Sequence, residues 1–579
     1  MKRFGRLGLV SALALVLPSM ANAADPLNVT LTPKASPQGQ VNALTVQMRL
    51  PSPDIDAGDA LLRMPVHIVS TPTAAYSAEQ ISVIDANGPL KLTAVDEAPS
   101  PEGVYRQYVA ERAPKGDLVV TYTAQPRAVS HETRNGPLFD LRSQTSAQYG
   151  GLMGAGVYFM ATPNVPTPYD ITLNWDLSQL PQGARGVWSF GEGERKITAP
   201  AQTLAFSFYA VGEVASEPTA GADDFALYWV AQPPFDIEQL AGQTRSLYET
   251  MASFFGDADA PYRVFIRENP YPAGGGTALA QSFMFGYGAG GETTSGGLQM
   301  LLAHEMAHNW PRLTDSDHPM TAWYTEGNAE FYSSSLAYRE GLLTPDELLE
   351  IVNGRAAAYY SNPHLRLSNA DAGKIFWSDA RAQRVPYGRG FMYLTNVNAQ
   401  IIEASNGYKS LDDVVLEILQ RQRRGEPAGL AEWVEIITRE LGPQAKEEFE
   451  AMTRGDVIIP RPDSLGPCFR PKAVDILPWD LGFDEMRLGV VADLRADSNA
   501  AKAGLLEGDE IVSITSMKDI KDDETKPIDM VIRRDGQTYS VSFMPRGQAL
   551  PGYRWEHNPE LNRYGCGAED ASHDAHHHD

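Results

Sequence analysis

The sequence predicts a multidomain α+β protein, and three observations predict it. Its 579 residues suffice for three or four folding units of about 150 residues each. Alternating apolar and polar runs, broken by Pro, Gly, Asn and Asp clusters, fill residues 24–214, and helical periodicity fills 215–455. Between 471 and 547 the texture returns to short strands and tight turns. Composition is that of a globular protein, 43% hydrophobic and 21% charged. The formal net charge of −25 argues against nucleic acid as a partner, because a polyanion would be repelled.

The first 23 residues read as a secretory signal. Lys2, Arg3 and Arg6 make a basic start, residues 7–17 are mostly apolar and too short to span a bilayer, and Ala21-Asn22-Ala23 offers small residues for cleavage. The mature chain is expected in the periplasm or outside the cell. No later stretch is long and apolar enough to cross a membrane. The chain has two cysteines, Cys468 and Cys566. In an oxidising compartment they are expected to pair, although two separate buried thiols fit the sequence too.

Taken in order, runs at 43–50, 117–124, 169–177 and 203–211 predict strands of a β-sandwich-like unit with no helix beyond a turn or two. His67 and His131 lack ligand-spaced neighbours there and read as structural. From 215 onward a helix is expected at 236–254 and a strand at 262–269. A glycine-rich stretch follows at 273–297, whose middle, 277–287, can be extended. A helix over 298–310 is stopped by Pro311, and another is expected within 315–341. Thr344-Pro345-Asp346-Glu347 is a capping box that starts a further helix. Helices are also predicted at 388–403, 411–423 and 431–441. Residues 487–514 predict strand, short helix, turn and strand, and 531–543 a hairpin turning at Asp535-Gly536. Residues 548–579 are polar, end His-rich, and read as a tail.

The chemistry-bearing stretch is His304-Glu305-Met306-Ala307-His308. On a helix, His304 and His308 stand one turn apart on one face, where two imidazoles can hold one Zn²⁺. Glu305 lies beside them, placed to take a proton from an attacking water. A catalytic zinc needs three protein ligands and an open position. Glu326 is the best third ligand, and His318, in the intervening loop, is its rival. Glu330 follows Glu326 by one helical turn and can accept the free N–H of a ligating histidine, fixing its tautomer. Two glutamates so spaced often mark a solvated face, but Trp323, Ala329, Phe331 and Tyr332 around them are apolar. Tyr387 is chosen from 24 tyrosines as the donor to an oxyanion, because a phenol stays protonated at neutral pH. Arg389 reads as a clamp for a substrate carboxylate or as part of a structural ion pair.

Together these motifs resemble the gluzincin metallopeptidases. HEMAHNW at 304–310 is followed by TEGNAEFY at 325–332 and PYGRGF at 386–391, the order seen in aminopeptidases of that clan. The whole mature chain looks most like the glycyl aminopeptidase family, and SLDDV at 410–414 looks like this branch too. The resemblance implies an N-terminal β-domain, a thermolysin-like, mainly α catalytic domain and a C-terminal PDZ-like domain. It also implies His304, His308 and Glu326 as zinc ligands, Glu305 as general base and Tyr387 as oxyanion donor. The implied activity is release of small N-terminal residues, glycine or alanine, from peptides. A zinc endopeptidase or dipeptidase on the same scaffold is the alternative. A non-catalytic PDZ-containing binding protein is another, against which the intact Glu305 argues.

The sequence departs from the family in one place. Related enzymes often carry a glutamate in the strand before the zinc helix to bind the substrate's free amine. Here that strand, with Gly276, Thr277 and Ala278, has no acid, and Glu292 is the nearest alternative upstream of the helix. A substrate can still pair its backbone with the strand. In the C-terminal region, SNAAKAGLLEGDEI at 498–511 resembles the bacterial PDZ signature. Leu481-Gly482-Phe483 resembles the loop whose N–H groups cradle a peptide carboxylate. Residues 484–487 are short for a groove strand, so this domain either binds a C-terminal peptide or docks on the catalytic domain.

Overall fold

A computed structural model describes residues 24–560 except positions 70, 101–102, 134–136, 166, 259, 272–274, 289–294, 315–317, 377–378, 486, 518–519, 521–522 and 524. The expected signal at 1–23, Glu292, Cys566 and the His-rich end lie outside the described residues. Among the described residues no helix is long and apolar enough to cross a membrane.

The N-terminal region is built on period-2 burial. Asp25–Ala35 and Val41–Leu50 pair antiparallel, and alternate residues such as Leu27, Val29 and Leu31 are fully buried. They lie in a seven-stranded sheet, which shares one core with two five-stranded sheets. Three sheets thus stand where a sandwich of two was expected. The predicted run at 203–211 is also split: Ala201–Leu204 is a 3₁₀ turn, and the strand begins at Phe208. Ser207 donates its hydroxyl to the Thr203 carbonyl, which closes that turn instead of extending it.

A five-stranded sheet joins this region to the next. Its order runs from Ala215–Glu217 through Phe225–Trp229, Tyr262–Asn269 and Ser282–Gly288 to Gly275–Leu279 at one edge. Its three inner strands are buried on both faces, so they read as near-continuous apolar runs. Phe225, Leu227, Trp229, Val264, Ile266, Phe283 and Phe285 face the helical core. The residues between them, Ala226, Tyr228, Phe265 and Met284, face the N-terminal core.

The helices pack on the first of these faces. They are α1 (Ile237–Phe254), α2 (Ser295–Ala307), α3 (His318–Arg339), α4 (Pro345–Tyr360), α5 (Val385–Ala404), α6 (Leu411–Arg423), α7 (Leu430–Leu441) and α8 (Gln444–Arg454). Asp236 caps α1 by accepting the Gln239 N–H at 2.9 Å, and Thr344 and Glu347 form the predicted capping box of α4. The helix α5 starts before the expected residue 388, because Pro386 occupies its first turn, where no N–H is needed. The helix α8 was not anticipated.

The C-terminal region differs from expectation at both ends. Phe469–Ile476 pairs antiparallel with Leu550–His557, in the stretch read as tail. The latter strand returns Trp555 to the helical core, and Asn353 of α4 accepts the Trp555 N–H at 2.7 Å and donates to its carbonyl at 2.9 Å. Between these strands the chain makes a separate small core around Leu481, Leu505, Ile528 and Phe543. The hairpin Ile528–Arg534/Gln537–Phe543 turns at Asp535 and Gly536, both with positive φ, as predicted. The first strand expected in 487–514 is reduced to a single bridge, Val490 to Glu510.

Candidate active site

Helix α2 delivers His304 and Glu305, and its end is tighter than expected. It stops at Ala307, and the Asn309 and Trp310 N–H groups bond the Met306 and Ala307 carbonyls at 3.1 and 3.2 Å, a closing 3₁₀ turn. His308 rides on this turn and keeps its position one turn from His304, with ring centroids 4.9 Å apart. Trp310 fastens the end by stacking on Phe255 and donating to Asp257 at 3.1 Å.

The second wall of the site is a helix crossing. A Cβ on Gly327 of α3 would stand 2.5 Å from the Gly390 Cα of α5, and a Cβ on Gly390 would meet the Trp323 carbonyl oxygen. Only glycine at both positions lets the two backbones come this close. The crossing brings Tyr387 beside Glu326, with its ring stacked on His304 at a centroid distance of 5.5 Å.

The result is a converging donor set. His304 Nε2 and His308 Nε2 lie 3.2 and 3.4 Å from Glu326 Oε2. Zinc bonds of about 2.0–2.1 Å at tetrahedral angles place neighbouring ligand atoms roughly 3.3 Å apart. The three residues are the potential metal-holding group found among the described residues. These residues therefore fit a zinc ion. Glu305 Oε2 lies 3.9 Å from His308 Nε2, beside the same point.

Behind His304 a further carboxylate fixes the ring. Its Nδ1 faces Glu330 Oε1 at 3.3 Å. Glu330 in turn pairs with Arg355 of α4, whose guanidinium also donates to Ser334 at 2.6 Å and Ser333 at 3.1 Å. Arg355 carries no motif. Its signal is a lone cation on the buried stripe with Val352, Ala356 and Tyr359.

Burial and charge oppose each other here. Burial raises the Glu305 carboxyl above its usual range, partly offset by the two histidines. Burial acts the same way on Glu326, but His308 and His304 outweigh it and hold that carboxyl well below the usual range. For Glu330, burial is outweighed by Arg355 and His304. Burial resists a charged His304 ring, yet Glu330 and Glu326 push its pKa up to about 10. Burial and the surrounding carboxylates keep the Tyr387 phenol protonated far above neutrality.

No family model matches the chain, and no curated protein matches it. Among solved structures, the aminopeptidase N family protein from Idiomarina loihiensis is similar at a TM-score of 0.60 and 13% identity, over 92% of this chain and 98% of that one. The chain has the fold of that aminopeptidase N family protein. An M1 zinc metallopeptidase from Deinococcus radiodurans, solved as a mutant bound to a Tyr-Ser-Ala substrate, is similar at a TM-score of 0.45 and 15% identity, over 76% of this chain and 95% of that one. Native yeast LTA4 hydrolase is similar at 0.47 and 13%, over 76% and 69%.

Within this aminopeptidase N fold the remaining candidates separate. Gly276, Thr277 and Ala278 lie on the edge strand of the sheet, beside α2. Gly276 leaves room for the Phe283 ring, and the Thr277 hydroxyl accepts the Leu138 N–H at 2.8 Å. Arg389 is turned inward and fully buried, donating to Asn369 at 2.6 Å and to the Leu365 and Leu367 carbonyls at 2.9 and 2.7 Å. It anchors the 365–369 loop and offers no surface to a substrate carboxylate, so the structural reading replaces the clamp, without the ion pair. His318 opens α3, and its side chain lies outside the described residues. The Gly482 N–H of the expected carboxylate cradle is taken at 3.0 Å by the chain's own Asp480.

Proposed function

We propose that the protein is an exported zinc metallopeptidase, and within that class an aminopeptidase that releases glycine or alanine from peptide N-termini. The single observation that carries the reading is the convergence of His304, His308 and Glu326 at a spacing that would hold a zinc ion, with Glu305 Oε2 3.9 Å from His308 Nε2. When bound, Zn²⁺ supplies a Lewis acid that polarises the scissile carbonyl and acidifies water. Glu305 takes the proton from the attacking water and passes it to the amine nitrogen as the C–N bond breaks. Its raised carboxyl pKa suits a group that must return the proton. Tyr387 donates its phenolic proton as a hydrogen bond to the developing oxyanion. Glu330 and Arg355 hold His304 in one tautomer.

Further readings rest on the sequence. The basic and apolar pattern of 1–23 supports export. Glu292 is the proposed partner of the substrate amine. A bridge from Cys468 to Cys566 is supported by the Asn558 N–H bonding the Cys468 carbonyl at 2.8 Å, which places Asn558 beside that cysteine. The C-terminal unit is read as PDZ-like. A zinc endopeptidase or dipeptidase is the second reading, favoured by the acid-free edge strand Gly275–Leu279.

The test is hydrolysis of free-amine and N-acetylated peptides by zinc-loaded protein. Cleavage of the free-amine peptides alone supports the aminopeptidase. Equal cleavage of both removes it in favour of the second reading, and cleavage of neither overturns the peptidase.

A further inference from the structure

The edge strand Gly275–Leu279 lies beside α2, the helix that carries His304 and Glu305, yet its polar anchor is on its other face. Successive side chains along a strand point to opposite faces. Ala278 packs on the helical core, and Leu279 packs on the N-terminal core. Thr277 shares the face of Leu279, and its cross-strand partner Met284 also belongs to the N-terminal core. Thr277 is the one polar side chain in Gly275-Gly276-Thr277-Ala278-Leu279. Its hydroxyl accepts the N–H of the buried Leu138 at 2.8 Å. The turn that follows is tied to the same N-terminal region. The Ala280 N–H bonds the Phe206 carbonyl at 3.2 Å, and the Ser282 and Ser189 hydroxyls, both fully buried, meet at 2.6 Å.

The Leu138 end of this pin is itself braced. Two residues on, Asp140 pairs with Arg267 and Arg142, and its carbonyl accepts from Arg267 at 2.9 Å. Arg267 belongs to Tyr262–Asn269, two strands in from the edge. Residues 138–140 thus tie the edge of the sheet to a strand in its interior.

We infer that Thr277 is a positioning residue, through which the N-terminal region holds the edge strand where a peptide backbone can pair with it. The role rests on the peptidase reading. Main-chain pairing holds the strand to Ser282–Gly288 on one side, and no further described strand lies beyond it. Such an edge takes up an extended peptide through its free N–H and C=O groups. Toward α2 the strand offers only Gly276 and Ala278, neither of which can hydrogen-bond through a side chain. Its place is therefore set from behind, by Thr277. Removing that acceptor leaves the Leu138 N–H buried and unpaired, which costs more than the bond itself contributes. The strand then moves more freely, and a peptide must order it on binding. His304, Glu305 and Tyr387 are not touched by the change, so binding weakens while the chemical step is kept.

The test compares Thr277→Val, which keeps the side-chain shape and loses the acceptor, with Thr277→Ser, which keeps the hydroxyl. The full zinc-loaded chain hydrolyses a peptide of about five residues, free or N-acetylated, whichever wild type cleaves. Thr277→Val should raise KM about tenfold and leave kcat within about twofold, because the binding that is lost is shared by ground and transition states. Thr277→Ser should return KM to within about twofold of wild type. Hydrogen exchange at 275–280 should quicken in Thr277→Val alone, at unchanged zinc content. An unchanged KM in Thr277→Val overturns the role of Thr277 and leaves the peptidase standing. A fall in kcat and zinc content together with the rise in KM does the same, since it marks a merely structural residue. So does a Thr277→Ser variant that behaves like Thr277→Val. Cleavage of neither peptide by wild type removes the peptidase reading and this one with it.

Discussion

Gly327→Ala tests the helix crossing that assembles the site. The added Cβ would stand 2.5 Å from the Gly390 Cα and 2.6 Å from its carbonyl carbon. Carbon atoms settle at about 3.5–4.0 Å, so α3 and α5 must part by about 1 Å. Both obstacles are backbone, so no rotamer change relieves them. Overpacking of this kind costs about 1–3 kcal/mol. A displacement of about 1 Å also carries Tyr387 away from Glu326 and His304, which lowers turnover by about a hundredfold. The comparison variant is Gly242→Ala, on the exposed face of α1 with nothing near its added Cβ. It should gain about 0.5–1 kcal/mol, as alanine replaces glycine in a helix. Urea midpoints and peptide hydrolysis, each at matched zinc content, read both effects. If Gly327→Ala kept wild-type turnover and stability, the close crossing would not be what positions Tyr387.

Three other outcomes follow from the same geometry. Glu305→Gln should retain zinc and lose about 10²–10⁴ of the hydrolysis rate; retained activity with metal bound would remove Glu305 as the base. Glu330→Gln or Arg355→Ala should weaken zinc binding about 10–100-fold in chelator competition, because His304 loses its fixed orientation. Burial would raise the Asp140 carboxyl, but Arg267 and Arg142 hold it down to about 2. Its folded pKa therefore lies below the unfolded value of about 3.9, so its contribution of about 2 kcal/mol is complete above about pH 4 and lost as pH falls toward 2. Urea midpoints of wild type and Asp140→Asn should differ most above pH 4 and converge below it.

The sequence made the metal group legible because its ligands sit at helical spacing and export their geometry through it. His304, His308, Glu326 and Glu330 needed only two helices to be placed. The glycines of the crossing were visible as motif letters, yet their role depends on a helix-to-helix distance that no local pattern encodes. Arg355 stayed hidden for the same reason: its partner lies on another helix. Arg389 stays open in the sequence between a clamp and a structural role, because its carbonyl partners at 365 and 367 belong to an irregular loop that no local pattern announces. The N-terminal strands followed their alternation, but alternation does not count sheets. Leu550–His557 was missed because its arginine, glutamate and histidine mask a strand that buries little more than Gly552 and Trp555.

That last strand also governs how the molecule can be shortened. The C-terminal unit hangs from two neighbouring strands, so its attachment is a pair of adjacent stalks, not a single tether. Contacts of the unit with Tyr271, Arg384 and His131 stop it turning about those stalks. Cutting the chain after Ile476 would leave Phe469–Ile476 without its partner and open a hole where Trp555 sits. Removing the unit cleanly requires excising the segment between Ile476 and Leu550 and joining them by a tight turn.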